Sequence, residues 1–130
     1  MAYRIYIVDD DRFLLDLYAV KFKNGGHDVS VFNEGGAFLD ELRKEGAPMP
    51  NAILLDIIMP NMTGLEVLET IRKEGLAKGA KVVFLTNQGQ NPDIDRAKEL
   101  KADGYIVKAS AIPSEVFSEV IRIIEESPAS

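Results

Sequence analysis

Along the chain, short β-branched and apolar runs alternate with longer stretches in which apolar residues recur at helical spacing. Arg4 to Val8 predicts a strand. The stretch behind it sets Leu14, Leu15, Tyr18, Ala19 and Phe22 on one helical stripe, which Asn24, Gly25 and Gly26 terminate. Asp28 to Phe32 alternates polar and apolar positions, as a half-exposed edge strand does, and the helix after it lines up Phe38, Leu39 and Leu42 before Gly46 and Pro48. Ala52 to Leu55 is wholly apolar and suits a central parallel strand. A third helix over Gly64 to Glu74 turns Leu65, Leu68 and Ile71 inward and leaves through Gly75 and Gly79. Val82 to Leu85 predicts the fourth strand. Asn91 as cap and Pro92 at the first helical position open a fourth helix with a thin stripe of Ile94, Ala97 and Leu100, the element expected to shift most easily. Tyr105 to Val107 predicts the fifth strand. The fifth helix starts at Pro113, carries Glu115 in its first turn and buries Val116, Phe117, Val120, Ile121 and Ile124. Five such βα units predict one parallel sheet covered by helices.

Composition narrows the class. With 130 residues and 46% hydrophobic content, one domain with its own core is expected over residues 1–126, followed by a frayed tail at 127–130. A net charge of −6 opposes contact with nucleic acid or an anionic membrane through the bulk field, so neither is expected as a partner, and a basic protein surface is the better match. Cysteine is absent, which excludes disulfides, thiolate metal sites and a thiol nucleophile. No apolar run approaches the roughly 18 residues of a membrane span, and a soluble, cytoplasmic protein is expected.

In open parallel sheets, ligands bind beyond the carboxyl ends of the strands. Here those ends carry Asp9, Asp10 and Asp11 after the first strand, Asp56 after the third, Thr86 after the fourth and Lys108 after the fifth. Clustered carboxylates raise one another's pKa unless a cation joins them, and hard oxygen ligands of this kind suit Mg²⁺, with Mn²⁺ as the alternative. A metal, an ammonium and a hydroxyl around one carboxylate form a place for a phosphoryl group, which Asp56 could attack in line. Blander readings stand beside this one. An acidic triplet after a strand also serves as a turn and helix cap, the natural role of Asp11. Asp56 and Lys108 could form a structural ion pair, and Thr86 is an ordinary strand residue. His27, in a loop behind two glycines, is expected at the surface rather than as a ligand or phosphate carrier.

Ile-Val-Asp-Asp-Asp at 7–11, Leu-Leu-Asp-Ile-Ile-Met-Pro-Asn-Met-Thr-Gly-Leu-Glu at 54–66, Val-Val-Phe-Leu-Thr at 82–86 and Gly-Tyr-Ile-Val-Lys at 104–108 arrive in one order and spacing. Together they resemble the receiver domain of two-component response regulators, over about Ile5 to Ile124. The resemblance implies a doubly wound, flavodoxin-like (βα)5 fold with strand order 2-1-3-4-5. It implies phosphorylation of Asp56 by a sensor histidine kinase or histidine phosphotransfer protein, with metal held by Asp9, Asp10, Asp56 and the carbonyl of Ile58. Lys108 and Thr86 would assist, with Thr86 and Tyr105 as switch residues. The output surface would be the fourth helix, fifth strand and fifth helix, read by a partner protein, an effector domain or a phosphorylation-dependent dimer. Such a protein catalyses only its own modification and is not a turnover enzyme.

Three departures are visible. Ala109 stands where the family has proline after the lysine, and a trans peptide is expected because a non-proline cis bond costs about 3 to 4 kcal/mol. Asn87 replaces a small residue and narrows access to Asp56. Ile58 and Gln88 flank the path of a hydrolytic water, and the apolar Ile58 is expected to prolong the phosphorylated state. Rival readings are weaker. A phosphohydrolase with a strand-end aspartate needs a second acid where Ile58 stands. A nucleotide- or flavin-binding module needs a glycine-rich loop after the first strand. A degenerate receiver serving as an unphosphorylated scaffold remains the alternative that Asn87 and Ala109 keep open.

Overall fold

A computed structural model describes residues 2–86, 91–108 and 111–126, the side chains of 91–93 excepted. The chain runs β1 (Arg4–Val8), α1 (Arg12–Asn24), β2 (Asp28–Phe32), α2 (Gly35–Arg43), β3 (Ala52–Asp56), α3 (Gly64–Glu74), β4 (Lys81–Thr86), α4 (Asn91–Glu99), β5 (Gly104–Val107) and α5 (Pro113–Glu125). All pairings are parallel and the order is β2-β1-β3-β4-β5, the doubly wound arrangement expected from the alternation and the resemblance. Among the described residues no helix is long and apolar enough to cross a membrane.

Between their polar ends the central strands are almost wholly apolar, because both sheet faces are covered. Ile5 and Ile7 join Leu54, Leu85, Phe22 and Val116 in the layer under α1 and α5. Tyr6 and Val8 point the other way, into a layer with Phe38, Ile53, Leu68 and Phe84 under α2, α3 and α4. Two stripes differ from expectation in which apolar residue faces inward. In α3 it is Val67, fully buried, while Leu65 is half-buried; in α5 it is Ile123, while Ile124 is half-buried. Adjacent residues on a helix differ by roughly 100°, and the docking angle chooses among the apolar ones. The helix expected to be weakest is so: Ala97 is the buried side chain among the described residues of α4, with Ile94 and Leu100 half-buried. Its observed start at Asn91 lies within one residue of the expected cap.

His27 corrects the reading of a simple surface residue. It is half-buried at the amino end of the sheet, its Nδ1 accepts the Tyr3 N–H at 3.0 Å, and its ring stacks on Tyr3 at 5.3 Å. The imidazole thus ties the α1–β2 turn to the residue before β1.

The start of α3 is seated on the main chain at the end of β3. Thr63 Oγ1 accepts from the Glu66 N–H at 3.2 Å and Glu66 Oε1 accepts from the Thr63 N–H at 2.9 Å, a reciprocal cap that contributes about 1 kcal/mol. The next residue, Gly64, donates its N–H to the Ile57 carbonyl at 2.8 Å, and a Cβ there would fall 2.1 Å from the Asp56 carbonyl oxygen. Backbone cannot yield as a side-chain tip can. Gly64→Ala is therefore expected to lower the free energy of unfolding by roughly 2 to 4 kcal/mol, read as a fall in the urea midpoint at unchanged slope.

Candidate functional site

Strand register assembles the site. Val8 pairs with Leu55, so the next residues, Asp9 and Asp56, leave the sheet side by side. Asp56 pairs with Leu85, one residue before Thr86, and Thr86 pairs with Val107, one residue before Lys108. Four residues far apart in the chain therefore reach one rim, as expected from the strand ends. Asp9 is fully buried, Asp56 and Thr86 are 3% exposed, and Asp10 is exposed.

The charges are unequally matched. Lys108 Nζ donates to Asp9 Oδ2 at 2.9 Å and lies 3.6 Å from Asp56 Oδ2. Its closer partner is thus Asp9, whereas the sequence suggested Asp56 as the residue to pair with it. Asp9 Oδ1 is engaged as well, accepting the Asp11 N–H at 2.9 Å. Asp11 accepts from the Leu14 N–H at 3.2 Å and caps α1, the bland role expected of it.

Asp56 consequently carries the weakest compensation. Burial first, and then the charge of Asp9, push its pKa up from 3.8 to about 8, against the opposing pull of Lys108. Burial works against the Lys108 ammonium, but the hydrogen bond to Asp9 and the charges of Asp56 and Asp9 outweigh it and raise its pKa. Tyr18 was legible only as part of the buried stripe. Burial raises the pKa of its hydroxyl, which also feels Lys108, Asp9 and Asp56.

Asp9, Asp10 and Asp56 each offer a carboxylate oxygen, and the three oxygens lie within 4.8 Å of one another. This all-oxygen, multiply negative donor set fits a hard divalent cation. Ile58 lies in the following loop and is 63% exposed. Tyr105 is half-buried on β5 against the α2–α3–α4 layer. Asn87, Gln88, Ala109 and the tail at 127–130 lie outside the described residues, as does the peptide geometry after Lys108.

The fold agrees with the comparisons. The family model described as "Response regulator receiver domain" matches residues 5–119, and the chain belongs to that family. It is 30% identical over 132 residues to the DNA-binding response regulator MtrA of Mycolicibacterium smegmatis, covering 99% of this chain and 55% of that protein. It is 29% identical over 127 residues to the alkaline phosphatase synthesis transcriptional regulatory protein PhoP of Bacillus subtilis, covering 98% of this chain and 50% of that protein. Among solved structures, a CheY-like response regulator receiver domain protein from Methanospirillum hungatei is 26% identical, with a TM-score of 0.85 over 96% of this chain and 95% of that one. The chain spans about half the length of the curated relatives it matches. Since the MtrA relative is named a DNA-binding regulator, the expectation of no contact with nucleic acid finds no support in these comparisons.

The Asp56 shift predicts a pH signature. The unfolded chain releases this proton near its ordinary 3.8 and the folded chain near 8, so between those values the folded state binds more protons. Stability relative to Asp56→Asn should then fall as pH rises from about 4 to about 8, by at most about 1.4 kcal/mol per pH unit. A divalent cation favours the ionised form and opposes the loss. At ten times its dissociation constant it should add about 1.4 kcal/mol to the wild type at pH of about 7.5, and much less to the variant. Urea titrations across pH, with and without Mg²⁺, measure both effects.

Proposed function

We propose that this chain is a phosphorylation switch, in which Asp56 accepts a phosphoryl group from a phosphohistidine on a sensor histidine kinase or histidine phosphotransfer protein. The observation that supports this most is the three-carboxylate cluster of Asp9, Asp10 and Asp56, in which the buried Lys108 lies closer to Asp9 than to Asp56. Asp9, Asp10, Asp56 and the backbone carbonyl of Ile58 would hold Mg²⁺ or Mn²⁺. When bound, that ion supplies positive charge for the phosphoryl oxygens and favours the ionised Asp56.

A carboxylate oxygen of Asp56 attacks phosphorus in line. The new O–P bond forms as the P–N bond breaks, and the departing imidazole keeps the electron pair and later takes a proton. Lys108 neutralises charge on the transferred group, and the Thr86 hydroxyl donates to one of its oxygens. Thr86 moving toward the phosphoryl group would allow Tyr105 to turn inward, shifting an equilibrium that involves the thinly packed α4. Water later hydrolyses the acyl phosphate and restores Asp56, so the chain acts on itself and is not a turnover enzyme. The setting would be the cytoplasm. Output passes to a partner protein, a second copy or an effector segment, and the relative's name makes a DNA-binding effector one suitable recipient.

Incubation with Mg²⁺ and acetyl phosphate, followed by intact mass, is expected to add one phosphoryl group to the wild type and none to Asp56→Asn. Failure to gain the group despite measurable metal binding would favour the scaffold reading that Asn87 and Ala109 keep open.

The lifetime of that group is a separate expectation. The Ile58 side chain is exposed and apolar, and it cannot hydrogen-bond an attacking water. Decay of the metal-bound phosphoprotein should take minutes or longer, and Ile58→Asn should shorten it. A half-life of seconds in the wild type would rule out this role.

A further inference from the structure

α1 is apolar on two opposite sides. Leu15, Tyr18, Ala19 and Phe22 are buried on the inner side, where the sheet and α5 lie. Successive helical residues turn by roughly 100°, which sends Phe13, Leu17 and Val20 to the outer side. These three are 72%, 39% and 55% exposed, on a face where a surface helix ordinarily carries polar residues. Spaced four and three residues apart, they form a stripe of roughly 10 Å. A lone exposed apolar residue is ordinary, whereas a continuous line of them is the pattern of a contact surface.

The two ends of this stripe carry opposite charge. At the amino end stand Asp10 and Asp11, both exposed, with Arg12 offsetting one of them. At the carboxyl end stand Lys21 and Lys23, exposed in the last turn of the helix. A second copy of α1 laid antiparallel on the first brings each charged end against its opposite. Phe13 then meets the partner's Val20, the two Leu17 side chains meet near the two-fold axis, and Lys23 comes to Asp10 and Asp11 of the other copy. A parallel arrangement would set like charges together. The contact is a weak one: three side chains fall well short of the roughly 800 Å² per partner of a standard interface, Asp16 on the flank of the stripe approaches its own copy, and a net charge of −6 on each chain opposes association.

We propose that the outer face of α1 is a self-association surface, on which a second copy of this chain lies antiparallel with Phe13, Leu17 and Val20 in the seam and Lys23 beside Asp10 and Asp11. Asp10 also belongs to the three-carboxylate cluster, so the partner's ammonium and a divalent cation compete for one carboxylate. Association withholds that carboxylate from the cation, and the cation releases the partner, each weakening the other by the same factor. The competition rests on the reading of the cluster as a metal centre; the seam does not.

Sedimentation velocity on the full chain tests it. Without divalent ions the wild type should pass from monomer toward dimer between about 10 µM and about 1 mM. Leu17→Glu should weaken association about tenfold or more, with little change in the urea midpoint because the side chain lies on the outer face. Lys23→Glu should weaken it severalfold, Lys23→Arg should not, and Asp16→Asn should tighten it. Saturating Mg²⁺ should shift the wild type toward monomer. The chain has no cysteine, so Asn24→Cys offers one place for a nitroxide label. Mixed with isotope-labelled wild type, the labelled variant should broaden the amides of residues 10–13 rather than those of 21–24. A monomer at every concentration, or no effect of Leu17→Glu, would overturn the surface and leave the stripe to a different protein. Broadening at 21–24 instead would overturn the antiparallel arrangement. A dimer that Mg²⁺ leaves unchanged would overturn the competition alone, and Mg²⁺ titration of the Leu17→Glu monomer, followed at the Asp9, Asp10 and Asp56 resonances, decides the metal reading separately.

Discussion

Two buried carboxylates share one buried ammonium, and much of the structure is organised around that shortage. Asp9 takes the hydrogen bond from Lys108 at 2.9 Å, while Asp56, 3.6 Å away, is left with the weaker share. Removing charges from water costs several kcal/mol each when the pairing is incomplete, so the rim of the sheet is unfavourable by itself. What offsets it is the sheet: in-register central strands, apolar on both faces, hold the strand ends side by side whether or not their charges are matched. The incompletely compensated carboxylate suits Asp56 to a hard cation, whose charge would offset the imbalance that folding leaves behind.

The helices around the rim are not equivalent. α3 begins with a reciprocal cap, presses a glycine against the main chain of Asp56, and buries Val67, Leu68 and Ile71. α4 buries Ala97 among its described side chains, with Ile94 and Leu100 half-buried. A rigid helix next to a thinly packed one is a physical basis for a two-state element, since segments with little buried apolar contact open first.

The match to the response regulator receiver family runs over residues 5–119 and so includes the strand-end carboxylates, Thr86, Lys108 and the loop through Gly64. The left-handed Lys101, the Arg72 fork on the Leu100 and Lys101 carbonyls and the His27 stack on Tyr3 lie away from the rim.

The amino-acid sequence alone determined the ten elements, their alternation and the residues at the strand ends, because apolar period, caps and breakers act over a few residues and are written locally. Asp56 between an apolar run and Ile57 was conspicuous for the same reason: a charge in such a run needs a purpose. Tertiary structure decided what no local pattern contains. Whether Val67 or Leu65 faces inward depends on the angle at which α3 docks. Whether Lys108 leans to Asp9 or Asp56 depends on small differences in distance between strand ends many residues apart, 2.9 Å against 3.6 Å. Arg72 is an exposed helical cation, as its sequence position suggests, and only packing brings it to the Leu100 and Lys101 carbonyls just past α4. Local order comes from spacing along the chain, whereas partner choice comes from geometry across it, which exists only once the sheet has formed.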